Sequence, residues 1–257
     1  MEVHSHTHTP SPPAGRAGKK WTHYFWEFLM LFLAVFCGFL AEYQLEHTIE
    51  HQRATVYADN LYDELKNDTA RLSFLIRRNR DISSKLDTLC LLTKGPARQN
   101  IPSGMLYYYA QFVTYVSYFS SSNSTIEQLK GSGSLRIMNI NVAQKISEYD
   151  RKIRELEKEY GLSKSEFEKI ENLHFKIFDV YTMEMLFPED STEKAKDSLF
   201  QLRSLYIRDD PEMLNEYIGW LKFESNIYSF QTKEFLEPIR KAAVELIALL
   251  KKHYHLK

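Results

Sequence analysis

The chain is 257 residues long, with 33 basic and 34 acidic side chains and 44% hydrophobic residues. Near-zero net charge argues against nucleic acid as a partner, and the average composition is that of a water-exposed protein. With only two cysteines, Cys37 and Cys90, a disulfide scaffold is excluded and stability has to come from packing.

Residues 1–20 are rich in Pro, Gly, Ser and Thr and carry no large apolar residue beyond Met1 and Val3, so they read as a disordered tail. His4, His6 and His8 in this tail are at most a weak, unselective metal site.

Composition then changes abruptly. Residues 21–43 read as a transmembrane helix: from Tyr24 to Tyr43 the only carboxyl side chains are Glu27 and Glu42, near the two ends. Those 20 residues make a helix of about 30 Å at about 1.5 Å per residue, the thickness of a hydrocarbon core. Trp21, Tyr24 and Trp26 suit one interface and Tyr43 the other. A buried core helix is the alternative, but little else in the chain is apolar enough to surround it.

Arg16, Lys19 and Lys20 precede this segment, while Arg53 is the only nearby basic residue after it, which orients the N-terminus to the cytoplasm. Phe39 before Ala41 and Phe36 before Gly38 spoil cleavage sites, so the segment reads as an uncleaved signal anchor. Residues 44–257 are then extracytoplasmic, and in a bacterium with two membranes they are periplasmic, beside the inner membrane. Within the span, Ala34, Gly38 and Ala41 form a small-residue stripe suited to close helix-helix packing. Glu27, one turn into the span, suits an interfacial carboxyl or a helix contact. Just past the span, His47 and His51 are four apart on one helical face, the spacing of two metal ligands; with no third ligand in sight, a solvated face is the plainer reading.

No Pro or Gly interrupts the residues that follow. Leu65, Asp68, Leu72, Leu75, Asn79, Ile82, Leu86 and Leu89 alternate in steps of three and four, so a single helix is expected from about Trp21 to Thr93, ended by Lys94-Gly95-Pro96. A helix from Met105 to Phe119 would align Tyr108, Phe112, Tyr115 and Phe119, as core or as the wall of an apolar pocket. Ser124 with Glu127 has the form of a capping box opening a short helix that ends at the "KGSGS" stretch. The next helix starts at Asn139 or Asn141 and closes at Gly161; another runs from Lys164 to Leu186, with Ser163 and Glu166 as its box and Pro188 as its stop. A short helix around Thr192 to Leu202 follows. Asp209-Asp210-Pro211 opens the last, which reaches about Tyr254 with a kink at Pro238.

No alternating strand pattern occurs. The expected fold is all-α: one N-terminal transmembrane helix continuing into an antiparallel helical bundle.

The stretch from Ser124 to Ile153 carries Leu129, Lys130, Ser132, Gly133, Leu135, Asn139 and Tyr149, and together with "WEFLMLFLAVFCGFLAE" it resembles a family of uncharacterised single-pass membrane proteins of Bacteroidota. The resemblance covers roughly the first 155 residues and implies topology and source, with no activity. Physically the motif is a corner between helices, with Gly131 and Gly133 available for left-handed backbone and Leu135 and Ile137 as apolar anchors. A phosphate-binding reading of its glycines lacks the strand and the Lys-Ser/Thr pair that such loops need.

No catalytic constellation and no cofactor motif stand out. The sequence supports a non-enzymatic interaction or scaffold module of the cell envelope, whose partners are the lipid bilayer and either a second copy or another envelope protein. A periplasmic ligand-sensing bundle acting through a membrane partner is the alternative, and a hydrolase a distant third.

Overall fold

The computed structural model describes residues 21–187 and 193–256. The expectations for the N-terminal tail, its histidines and the stop at Pro188 lie outside the described residues. The chain divides into two units, residues 1–52 and 53–257.

In the first unit, residues 21–52 are helical throughout and belong to α1, which spans Trp21–Thr93. Between Phe28 and Ala41 every side chain except that of Leu29 is exposed. By length and composition this is the one helix among the described residues that could cross a membrane.

The second unit is all-helical, with no strand among the described residues. Eight buried positions of α1, from Leu65 to Leu89, are those of the three-and-four pattern, joined by Ala54, Ala58 and Leu61. Each leucine so placed contributes about 1.5–3 kcal/mol of apolar burial, which is why the pattern governs how this helix packs. After the turn at Gly95, with φ 79°, come α2 at Ser103–Ala110, α3 at Ser124–Gly131, α4 at Ile140–Ile177, α5 at Val180–Leu186, α6 at Glu193–Leu199, α7 at Pro211–Gln231 and α8 at Glu237–Tyr254.

Three rods carry the core: the α1 segment from Arg53 onward, α4, and α7 followed by α8. One apolar cluster joins Leu61 and Leu72 of α1 to Val142 and Ile146 of α4 and to Leu246 and Leu250 of α8. A second joins Leu86 and Leu89 to Leu173 and Ile177 and to Leu214 and Leu221. Along the chain α1 and α4 therefore run from the first cluster to the second, and α7–α8 runs back. This corrects the expectation of simple antiparallel alternation: α1 and α4 are parallel.

Such a pairing needs a return path, and residues 115–123 supply it, with Val113 in the second cluster and Phe119 in the first. The expected helix from Met105 to Phe119 accordingly ends early: α2 stops at Ala110, a 3-10 turn covers Gln111–Thr114, and residues 115–123 are non-helical. The cause lies far away in sequence. The Asp68 side chain accepts hydrogen bonds from Ser121 Oγ at 2.5 Å and from the Ser122 amide at 2.9 Å. Glu64 accepts from the Thr125 amide at 3.1 Å, from Thr125 Oγ1 at 2.9 Å and from Ser124 Oγ. These bonds hold the segment against α1 and replace the expected box, since Ser124 makes no cap and Glu127 pairs with Lys130.

Two further boundaries differ. α4 runs through Gly161 without a break, and Ser163 Oγ donates to the Glu159 carbonyl at 3.0 Å instead of capping a new helix. One glycine costs a helix about 1 kcal/mol, which the good helix formers on both sides offset. Just ahead of Pro238, Thr232–Leu236 form a π-helical turn, a usual accommodation of a residue that cannot donate into the ladder. The Asn139 and Asp210 caps form as expected, accepting from the amides of Asn141 and Met213. At the corner Gly133 alone is left-handed, with φ 66°, and Leu135 and Ile137 pack half-buried against the first cluster.

Candidate functional site

The anticipated residues fall in different surroundings. Ala34, Gly38 and Ala41 are exposed, and nothing lies within 4 Å of the position a Cβ would take at Gly38. Glu27 faces His23, with Oε1 3.0 Å from Nε2 one turn away. His47 and His51 are exposed on α1, and among the described residues no third Asp, Glu, Cys or His joins them.

The aromatic row is not one face. Phe119 is buried, Tyr115 is 40% exposed, and Phe112 and Tyr115 line an open recess of about 420 Å³ with Phe74, Arg77 and Arg78. Lys85 Nζ sits 3.8 Å above the centre of the Phe112 ring.

Three groups of polar side chains within the second unit concern buried titratable residues at helix contacts. Around Asp68, Tyr149 donates its hydroxyl to Oδ2 at 2.6 Å, and burial first, then the Asp68 charge, pushes this phenol well above its ordinary range. Near the far end, Ser225 Oγ and Lys222 Nζ each lie 2.8 Å from Asp87 Oδ1. Partial burial opposes ionisation of Asp87, yet these bonds and the Lys222 charge hold its carboxyl below the usual value. Burial raises the neighbouring Cys90 thiol to about 11, so this is an unreactive sulfur. Between α4 and α7, His174 is fully buried, shares a 2.7 Å hydrogen bond between Nδ1 and the Tyr217 hydroxyl, and has no partner at Nε2 among the described residues. Desolvation lowers its pKa to about 4, so the ring is neutral and serves as a core spacer stacked on Phe178.

One further place brings two acids to a common opening. On the outer side of the α4–α7 contact, Glu166 and Glu224 line a recess of about 160 Å³, together with Glu159, Ser163 and an apolar wall of Leu162, Phe223 and Ile227. Glu224 is only 7% exposed, and no hydrogen bond or ion pair reaches it among the described residues. Glu166 Oε2 is buried and equally without a partner. Desolvation first and the Glu166 charge second raise the Glu224 carboxyl to about 7. Two carboxyl side chains facing one opening, one of them held toward its protonated form, can take up a proton or a cation.

The sequence reading passed over Glu224, although a signal was present. Leu214, Tyr217, Leu221, Tyr228 and Gln231 of α7 are buried in steps of three and four, and position 224 occupies the same register. A glutamate in a core register marks a buried acid.

No protein-family model, curated protein or solved structure matches the chain.

Proposed function

We propose that the chain is a membrane-anchored helical protein of the bacterial cell envelope, with residues 21–43 as an uncleaved anchor in the inner membrane and residues 53–257 as a non-enzymatic interaction module outside the cytoplasm. The observation that carries this reading is the exposure of the apolar stretch Phe28–Ala41, whose side chains find no protein cover; it is about 21 Å of helix, and the interfacial aromatics Trp21, Tyr24, Trp26 and Tyr43 extend it to the length of a bilayer core. The basic residues Arg16, Lys19 and Lys20 on one side, against Arg53 alone on the other, supply the orientation. The resemblance to single-pass proteins of Bacteroidota agrees with it. The partner is a second copy, approached through Ala34, Gly38 and Ala41, or another envelope protein.

A fusion at Lys257 to a reporter active only outside the cytoplasm tests the topology. Activity is expected; a silent reporter, with a cytoplasmic reporter active at the same position, overturns it.

The second reading, a ligand-sensing bundle that acts through a membrane partner, is favoured by one observation, the recess holding the unpartnered Glu224 and Glu166.

A further inference from the structure

We propose that the recess between α4 and α7 lined by Glu166, Glu224 and Phe223 is a binding site for a small alkylammonium cation. The proposal deepens the ligand-sensing reading by naming the chemistry of the ligand.

Satisfaction of buried polar atoms comes first. Glu224 is 93% withdrawn from solvent and Glu166 Oε2 is buried, and neither has a donor among the described residues. Leaving such atoms unmade is costly, and the other two recessed carboxylates described above avoid it: Asp68 has three donors and Asp87 two. A bound group that brings several N–H donors and a positive charge satisfies both acids at once and removes their mutual repulsion.

The type of cation follows from the rest of the lining. Glu159 also lines the recess, but it does not close with Glu166 and Glu224 into a group that could hold a metal among the described residues, whereas a calcium ion takes six to eight oxygens. Leu162, Phe223 and Ile227 offer apolar surface instead, and Phe223 is 42% exposed, so its ring is open to an ammonium group. The volume of about 160 Å³ is that of roughly five waters at about 30 Å³ each, enough for an amine of about five heavy atoms. Proton balance follows from the same chemistry. The protonated fraction of Glu224 gives its proton to solvent as the ammonium ion enters, and no covalent bond is made or broken.

The test is calorimetric titration of the detergent-solubilised full chain with n-butylammonium chloride, at constant ionic strength near pH 7, in two buffers of different ionisation enthalpy. Expected is saturable one-to-one binding with Kd on the order of 1 mM, a buffer-dependent heat showing proton release, and affinity about tenfold weaker or worse in both Glu224→Gln and Glu166→Gln. Glu166 is half-buried, so Glu166→Gln tests the site even where Glu224→Gln alters folding; unchanged helical circular dichroism certifies each variant. Absence of saturable binding overturns the proposal. So does affinity unchanged in both variants, or stoichiometric calcium binding that excludes the amine. The Lys257 reporter reads only the anchor and the titration only the recess, so either can fail alone.

Discussion

Replacing Glu224 with Gln keeps the shape of the side chain and removes its titration, which makes the cost of the buried acid measurable as a function of pH. In the folded chain the carboxyl titrates near 7, against 4.5 for an unhindered glutamate. At 1.36 kcal/mol per pH unit this corresponds to about 3 kcal/mol. The folded-state value is the raised one, so the associated stability is fully present below about pH 4.5 and is lost as pH rises through about 7. The groups around it reinforce the direction: Glu166 on α4 is an acid, and Tyr118 and Tyr228 are phenols that bring no positive charge.

His174 works in the opposite sense. Its folded value of about 4 lies below the ordinary 6.5, so it contributes stability present above pH 6.5 and lost as pH falls through 4, again about 3 kcal/mol. The two slopes nearly cancel in the wild-type chain between about pH 4.5 and 6.5, and neither is visible alone. Urea unfolding of the solubilised full chain, followed by circular dichroism from pH 4.5 to 8, should therefore show a nearly flat wild-type profile. The Glu224→Gln profile should climb with pH, with the variant ahead by about 3 kcal/mol at pH 8 and level with wild type near pH 4.5. A gap between variant and wild type that is the same at both ends would refute the reasoning, because a pH-independent effect is one of packing.

Asp68→Asn is expected to destabilise the second unit by about 2–3 kcal/mol in the same unfolding assay, since one of the three donors at this side chain then faces an amide NH₂. The same variant should free residues 115–123 and speed their amide exchange. At Gly104, whose amide donates to the Leu202 carbonyl at 3.0 Å, an added Cβ would stand 1.9 Å from the Leu199 carbonyl oxygen. Gly104→Ala should displace α6, giving new protease cleavage between residues 196 and 205 while circular dichroism changes little.

Much of the rod framework was legible because its causes are local. The first helix could be read to its last residue, since from Gly38 to Lys94 no Pro or Gly offers a way out and the three-and-four spacing fixes the buried face. Asp68 and Asn79 kept their places in that pattern although polar, and both are buried. What escaped has distant causes. The segment after Thr114 has the composition of a helix, but its Ser122 amide is taken by Asp68 and its Phe119 amide by Tyr160, each more than 40 residues away in the chain. Parallel pairing of α1 and α4 depends on that same segment and was hidden with it. For the recess, the position of Glu224 in a core register was readable, whereas its pairing with Glu166 across two helices was not.

The π-helical turn at Thr232–Leu236 sets the phase of everything that follows it. Continuing the α7 steps of three and four beyond Gln231 would place buried residues at 235, 238 and 242; Ala242 is buried, but Leu236 in the turn and Ile239, Ala243, Leu246 and Leu250 in α8 fall one residue later. The turn thus acts as a one-residue spacer, inserted where the rod passes from the second apolar cluster to the first. Removing a single residue there would let the turn close as ordinary α-helix, and Leu246 and Leu250 would keep their place on the buried face, in step with α7. Chains of this kind should accordingly tolerate loss of one residue within 232–236 better than gain of one, which would turn the buried face of α8 by about 100°.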